Sequence, residues 1–274
     1  MSHTEEQSLL EDEGAGYLVS VSDIMAGLLF VFIITLVAFV IQFQLASDEK
    51  EREQQTLIDT QQILKETQQI LKEKVDDLTN AKKLRKALLS QIQDELDEQG
   101  VKVQVDLDQG ILRLTEETIR FRTGRSSLDD RPKQNIELIS RVLAGLLPCY
   151  AGTPRLGMSC SKETHGKLEA VFIEGHTDNV PIKGTSYTNW ELSAQRAINT
   201  YKYMRQVQPE LADLGNSRGE RMFSVAGYAD SRQQYPHDTP TNDARNRRID
   251  MRFIMTPPNK DHAIVEDIHK RGVK

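Results

Sequence analysis

The longest apolar run in the chain comes early. Ile24 to Ile41 reads IMAGLLFVFIITLVAFVI, eighteen residues interrupted only by Gly27 and Thr35. As a helix it would measure about 27 Å, close to the hydrocarbon thickness of a bilayer. It has no polar face, which favours a membrane span over the alternative of a buried core helix. The residues before it (Glu5, Glu6, Glu11, Asp12 and Glu13) are acidic where a cleaved signal is basic. The pattern therefore predicts an uncleaved anchor over residues 18–45, behind a short tail at 1–17.

The periodicity then changes. Residues 48–98 hold no Pro, Gly or aromatic residue, and Gly100 supplies a helix stop. QQILKET (61–67) is followed at once by QQILKEK (68–74), a seven-residue repeat. Leu57, Leu64, Leu71 and Leu78 fall seven apart, with Val75 beside them, and Leu84, Leu88, Ile92 and Leu96 continue at four-residue spacing. A seam of this kind wants a partner helix, so residues 46–99 are predicted as a coiled-coil linker. A lone amphipathic helix folded onto the following domain, or a partly disordered linker, are the alternatives.

Beyond residue 100 short apolar strands alternate with amphipathic helices. VKVQVDL (101–107) and ILRLT (111–115) flank Asp108-Gln109-Gly110, a hairpin signal. Asp129 to Leu147 is amphipathic, LEAVFIEG (168–175) reads as a buried strand, and Trp190 to Val207 as a helix. RMFSVAG (221–227) and RIDMRFIM (248–255) read as strands, with a helical turn at Asn242 to Asn246. The fold class is α+β: a transmembrane helix, a coiled-coil helix, then at 100–256 a domain with helices on one face of a mixed sheet. An uninterpreted tail fills 257–274.

Charge sharpens the division. Residues 1–100 carry 9 Lys+Arg against 19 Asp+Glu, and the remainder 26 against 22. Neither part is a strongly basic nucleic-acid binder, and two cysteines do not make a disulfide framework. GTPRLGMS (152–159) has P-loop glycine spacing but Met158 where lysine is required. His176 and Asp178 could share a metal, but no third ligand follows at metal-like spacing. No nucleophile elbow, zinc-protease motif or credible carboxylate pair is present, so neither an enzyme nor a cofactor is expected.

GHTDNVP (175–181), NWELSAQRA (189–197) and ARNRRIDM (244–251) resemble, in order, the three signature stretches of the OmpA-like peptidoglycan-binding domain. IRFRTGRSSLDD (119–130) resembles that family's first conserved stretch. The resemblance implies a ligand, the peptide stem of the bacterial wall, whose diaminopimelate end is a zwitterion. Asp178 would take its ammonium, and Arg196 would clamp its carboxylate through paired donors. Thr177, Asn189 and Leu192 match lining positions, and Arg248 matches a family arginine near the site. The alternative is that Asp178 and Arg196 form a structural ion pair or cap their own elements. A periplasmic setting also implies a disulfide between Cys149 and Cys160, in a loop longer than the family's usual one. Two free thiols are the alternative.

Asp23, in YLVSVSDIMAGLLF, sits at the edge of the apolar run. An ionisable group at such depth defaults to a proton- or ion-carrying role. The alternative is that Ser22 or Asp23 caps the helix in the headgroup region. A short tail, one span with a carboxylate near its start, a spacer and an OmpA-like domain together resemble the B subunit of ion-driven stator complexes. That family implies Asp23 as the ion carrier, a homodimer, and five copies of a multi-span A-type ring subunit around two of this chain. It also implies the inner membrane with the N-terminus cytoplasmic. The positive-inside rule mildly opposes this, since Lys50 and Arg52 follow the span and residues 1–22 hold no Lys or Arg. The acidic tail and long rod look more like the Zorya anti-phage B subunit than a flagellar one.

Overall fold

The computed structural model describes residues 3–152, 157–182 and 186–258, with side chains from residue 21 onward. The stretch 153–156, inside the glycine-spaced loop, and the tail from 259 lie outside the described residues. Two units divide the described residues, the first ending at Ile70 and the second running from Leu71.

In the first unit the backbone is helical from His3, the start of α1 (His3–Glu98). The apolar run lies within it, and its side chains face outward: Ile24 is 61% exposed and Phe30 65%. A core helix would hide such groups. α1 is thus long and apolar enough to cross a membrane, and the side chains of its apolar run are unburied among the described residues. Thr35 returns its hydroxyl to the Phe32 carbonyl at 2.9 Å, satisfying itself within the helix.

In the second unit the leucine pattern splits. Leu71, Val75 and Leu78 are exposed, as are Leu57 and Leu64 upstream. Leu88, Leu89, Ile92 and Leu96 are fully buried, in the same core as Val101, Leu112, Leu114 and Ile139. The spacing explains the difference. Strict seven-residue repeats make a narrow seam for another helix, whereas i, i+1, i+4, i+8 makes the broad face that packs in a globular core. The last turns of α1 therefore belong to the domain, as in the folded-back alternative, and the core starts well before residue 100. Gly100, at φ +74°, ends the helix, and Val101 N–H donates to Leu96 O at 2.9 Å.

The hairpin forms as the sequence predicts, from β1 (Gln104–Asp106) and β2 (Ile111–Leu114). Lys82 and Lys86 reach Asp108 in its turn at 3.1 and 3.0 Å, holding that carboxyl below its usual range. α2 (Asp130–Leu146) follows, then β3 (Leu168–Gly175), α3 (Asn189–Val207), β4 (Phe223–Gly227) and β5 (Ile249–Met255). The sheet order is β1-β2-β5-β3-β4, with β3 and β4 parallel and the other neighbours antiparallel. This is an α+β fold on a mixed sheet.

Period-two alternation sorts the sheet's two faces. Val171, Ile173, Ile249, Met251 and Phe253 join the helices in the core. Phe172, Glu174, Asp250 and Arg252 turn to the other face and line a cavity. Short 3-10 turns at Leu147–Cys149 and Pro209–Ala212 follow α2 and α3. Cys149 is bonded to Cys160, with Cα atoms 5.2 Å apart.

Candidate functional site

The site forms where β3 ends and α3 begins, and two glycines bring those elements together. A Cβ on Gly175 would lie 2.0 Å from Ser193 O, and one on its strand partner Gly227 would lie 2.6 Å from Ala194 N. Only glycine lets the α3 backbone approach the parallel strands this closely. Thr188 caps α3 in a reciprocal box with Glu191. Ser193 Oγ then accepts from Ala229 N–H at 2.9 Å, fixing the chain after β4.

Past Gly175 the strand gives way to His176, Thr177 and Asp178, all buried. His176 N–H donates to Arg248 O and Thr177 N–H to Ala229 O. The Asn189 amide donates to the carbonyls of Asp178 at 3.3 Å and Val180 at 3.1 Å, tying the first residue of α3 to the loop. Asn179 donates to His237 O and Thr239 O and accepts from Thr241 N–H, so it pins a second loop alongside. Leu192, 3% exposed, sits one turn into α3.

Asp178 Oδ2 accepts from Arg247 Nη1 at 2.7 Å, with both side chains largely buried. Arg247 also donates to Asn242 Oδ1 and has Nη2 3.7 Å from Glu116. Arg247 Nε and Thr177 Oγ1 are buried with no hydrogen-bond partner among the described residues. The site thus holds a carboxylate, a guanidinium and unspent polar atoms in one place.

Arg196 is fully buried and donates to three backbone carbonyls: Arg125 at 3.0 Å, His176 at 3.4 Å and Arg122 at 3.3 Å. Its guanidinium also covers the Phe121 ring at 4.9 Å. Burial and then the charge of Arg247 pull its pKa down to about 10, with Asp178 opposing, so it stays cationic at neutral pH. Three of its five N–H donors are engaged by these carbonyls. Arg196 is therefore both a candidate clamp and the strut holding the 122–125 loop.

Of the residues expected at this site, Asp178, Arg196, Thr177, Asn189 and Leu192 converge on the β3–α3 junction. Arg248 does not. It donates to Asp250 at 3.1 Å and to Arg232 O at 3.0 Å, on the sheet face away from the helices. Arg247 takes its place beside Asp178, and strand alternation is the signal that finds it. Ile249, Met251 and Phe253 face the helices, so Arg248, Asp250 and Arg252 must face away.

On α1, Asp23 lies about five and a half turns past the helix start at His3 and is exposed. Neither Ser22 nor Asp23 caps a helix end.

Residues 158–247 match the OmpA family. Motility protein B of Bacillus subtilis (strain 168) is 31% identical over 85 residues, which is 31% of this chain and 30% of that protein. The chain thus matches under a third of that curated relative's length. A putative MotB-like protein from Desulfovibrio vulgaris is 19% identical, covering 64% of this chain and 96% of its own, with a TM-score of 0.45. The cell wall anchor of the T6SS from Pseudomonas aeruginosa is 19% identical, covering 62% and 96%, with a TM-score of 0.40.

Proposed function

We propose that this chain, whose second unit carries an OmpA-family domain, is the wall-gripping B-type subunit of an ion-driven rotary motor in the bacterial inner membrane. In this reading α1 crosses the bilayer with its N-terminus cytoplasmic, and the domain lies in the periplasm. Asp178 receives the ammonium of the wall stem peptide while Arg196, backed by Arg247, receives the carboxylate. Asp178 already holds one guanidinium, so the ligand's ammonium would take over part of an existing ion pair rather than enter an uncompensated site.

The observation that carries the motor reading is Asp23, an acid in uninterrupted helix at the start of an exposed apolar run. A passive tether has no use for it. Moving down a 100 mV potential, one charge supplies about 2.3 kcal/mol, enough to bias a step of rotation. One helix makes no pore, so a multi-span ring, five copies around two of this chain, surrounds it. The exposed seam of Leu57, Leu64, Leu71 and Leu78 supplies the homodimer.

α1 is one unbroken helix through and beyond the apolar run. That continuity supports the Zorya anti-phage assignment over flagellar use, where a plug helix and short linker follow the span. Asp23→Asn tests the motor. The variant complex should assemble and bind sacculi, yet conduct no ions and give no protection from phage. Full activity in that variant would leave a tether.

A further inference from the structure

The sheet face turned away from the helices carries a second constellation that the wall-peptide site does not use. A cavity of about 540 Å³ opens there, lined by Arg113, Glu174, His176, Arg248, Asp250 and Arg252, with Tyr228 and Arg232 at its edge. Glu174, His176 and Asp250 bring ligand-type atoms within 4.8 Å of one another, the arrangement a cation would use. Both carboxylates, however, are already engaged. Arg252 grips Glu174 through Nε at 2.8 Å and Nη2 at 2.9 Å. Arg248 and Arg113 both donate to Asp250 at 3.1 Å. His176 Nε2 lies 3.5 Å from Asp250 Oδ2, too far and too contested to be its proton partner.

Four guanidiniums against two carboxylates leave a surplus of two positive charges around the cavity. Burial, then Arg248, Arg113, Arg232 and Arg252, hold His176 at a pKa of about 2, so it adds no charge but keeps one ring N–H to donate. Arg248 Nη1 and both His176 ring nitrogens are buried without a hydrogen-bond partner among the described residues. Arg248 is 4% exposed and His176 1%. Unsatisfied donors in a cationic pocket are costly unless an acceptor arrives.

We propose that this face binds an oxyanion, a carboxylate or a phosphate group, held between Arg248, His176 and Arg232. The Arg232 guanidinium stacks 3.7 Å over the Tyr228 ring, which itself stacks on His176 at 5.5 Å. Arg232 is exposed, so it can swing to admit the anion and close over it. Neither Asp178 nor Arg196 lines this cavity; the two sites meet at His176, whose backbone carbonyl accepts from Arg196 while its ring faces the cavity.

The test is thermal unfolding of the full chain in detergent at pH 7, with sodium phosphate or sodium acetate titrated against sodium chloride of equal ionic strength. Saturable stabilisation by phosphate or by acetate beyond chloride supports the site and identifies the group. Arg232→Gln should unfold as the wild type does in chloride yet need at least about tenfold more anion for the same shift. Asp178→Asn should keep the anion response. No response beyond chloride, or an undiminished one in Arg232→Gln, overturns the proposal. So does stabilisation by zinc chloride that EDTA reverses while both anions are silent.

Discussion

Lowering the pH from 7 to 5 should weaken the domain by about 2 kcal/mol through one side chain. His176 is 1% exposed, and burial together with four arginines holds its folded pKa at about 2, against 6.5 for a free imidazole. Above pH 6.5 the ring is neutral in both states and contributes nothing to the pH dependence. As pH falls below that value the unfolded chain takes up a proton that the folded chain refuses. Stability then drops by roughly 1.4 kcal/mol per pH unit, or about 2 kcal/mol by pH 5. Asp243, held low chiefly by Arg245, loses its own stabilising contribution only below the ordinary aspartate value of 3.8, outside this window. Urea unfolding of the full chain in detergent and chloride buffer, followed by fluorescence of Trp190, the single tryptophan, measures the slope. His176→Gln removes the titrating group, so its stability should change between pH 7 and 5 by about 2 kcal/mol less than the wild type's, whatever its starting level. Equal slopes in the two proteins, or a flat wild type, would refute the reasoning.

Gly175→Ala should destabilise the domain by about 1–3 kcal/mol and reduce sacculus pull-down, because a methyl 2.0 Å from Ser193 O forces α3 off the strand. Unchanged unfolding and binding would show that the close approach is dispensable. Asp178→Asn keeps the residue's size and should lower sacculus binding at least about tenfold; undiminished pull-down would move the ligand elsewhere. Arg196→Ala is a poorer probe, since losing its bonds to Arg122, Arg125 and His176 should cost stability as well as binding, seen as a lower unfolding midpoint. Reducing Cys149–Cys160 should remove roughly 2–3 kcal/mol, and a variant with both cysteines changed to serine should no longer respond to reductant. If the exposed seam pairs two chains as proposed, Leu71→Asp with Leu78→Asp should give a monomer by light scattering, because both residues are exposed on it. A persistent dimer would place the interface elsewhere.

Elements with one strong local signal were legible in the chain. β3 was read to the residue from LEAVFIEG, and the hairpin from Asp108-Gln109-Gly110, because apolar runs bounded by turn residues leave little choice. The buried stripe of α3 (Leu192, Ser193, Arg196, Ala197, Thr200, Met204) follows helical spacing, so the burial of Arg196 could have been read as well. What it bonds could not, since two of its three acceptors are carbonyls some seventy residues away. Arg247 was missed by a single position on the turn before β5. There the choice between neighbouring arginines decides which sheet face receives the charge. The split of the leucine pattern depends on where the core needs cover, which no local window contains. The cavity behind the sheet combines residues from β2, β3, β5 and the chain after β4, and spacing alone does not assemble them.

The stretch that identifies kinship and the stretch that holds itself together are different objects here. Kinship begins at residue 158, whereas Leu88, Leu89, Ile92 and Leu96 already fill one side of the interior. At about 1.5–3 kcal/mol for each such side chain, a fragment cut at residue 100 would forfeit roughly 6–12 kcal/mol. That rivals the entire margin by which an ordinary domain stays folded. A soluble fragment of this protein must begin upstream of Leu88, and one trimmed to the signature motifs alone should emerge from the ribosome as an insoluble chain.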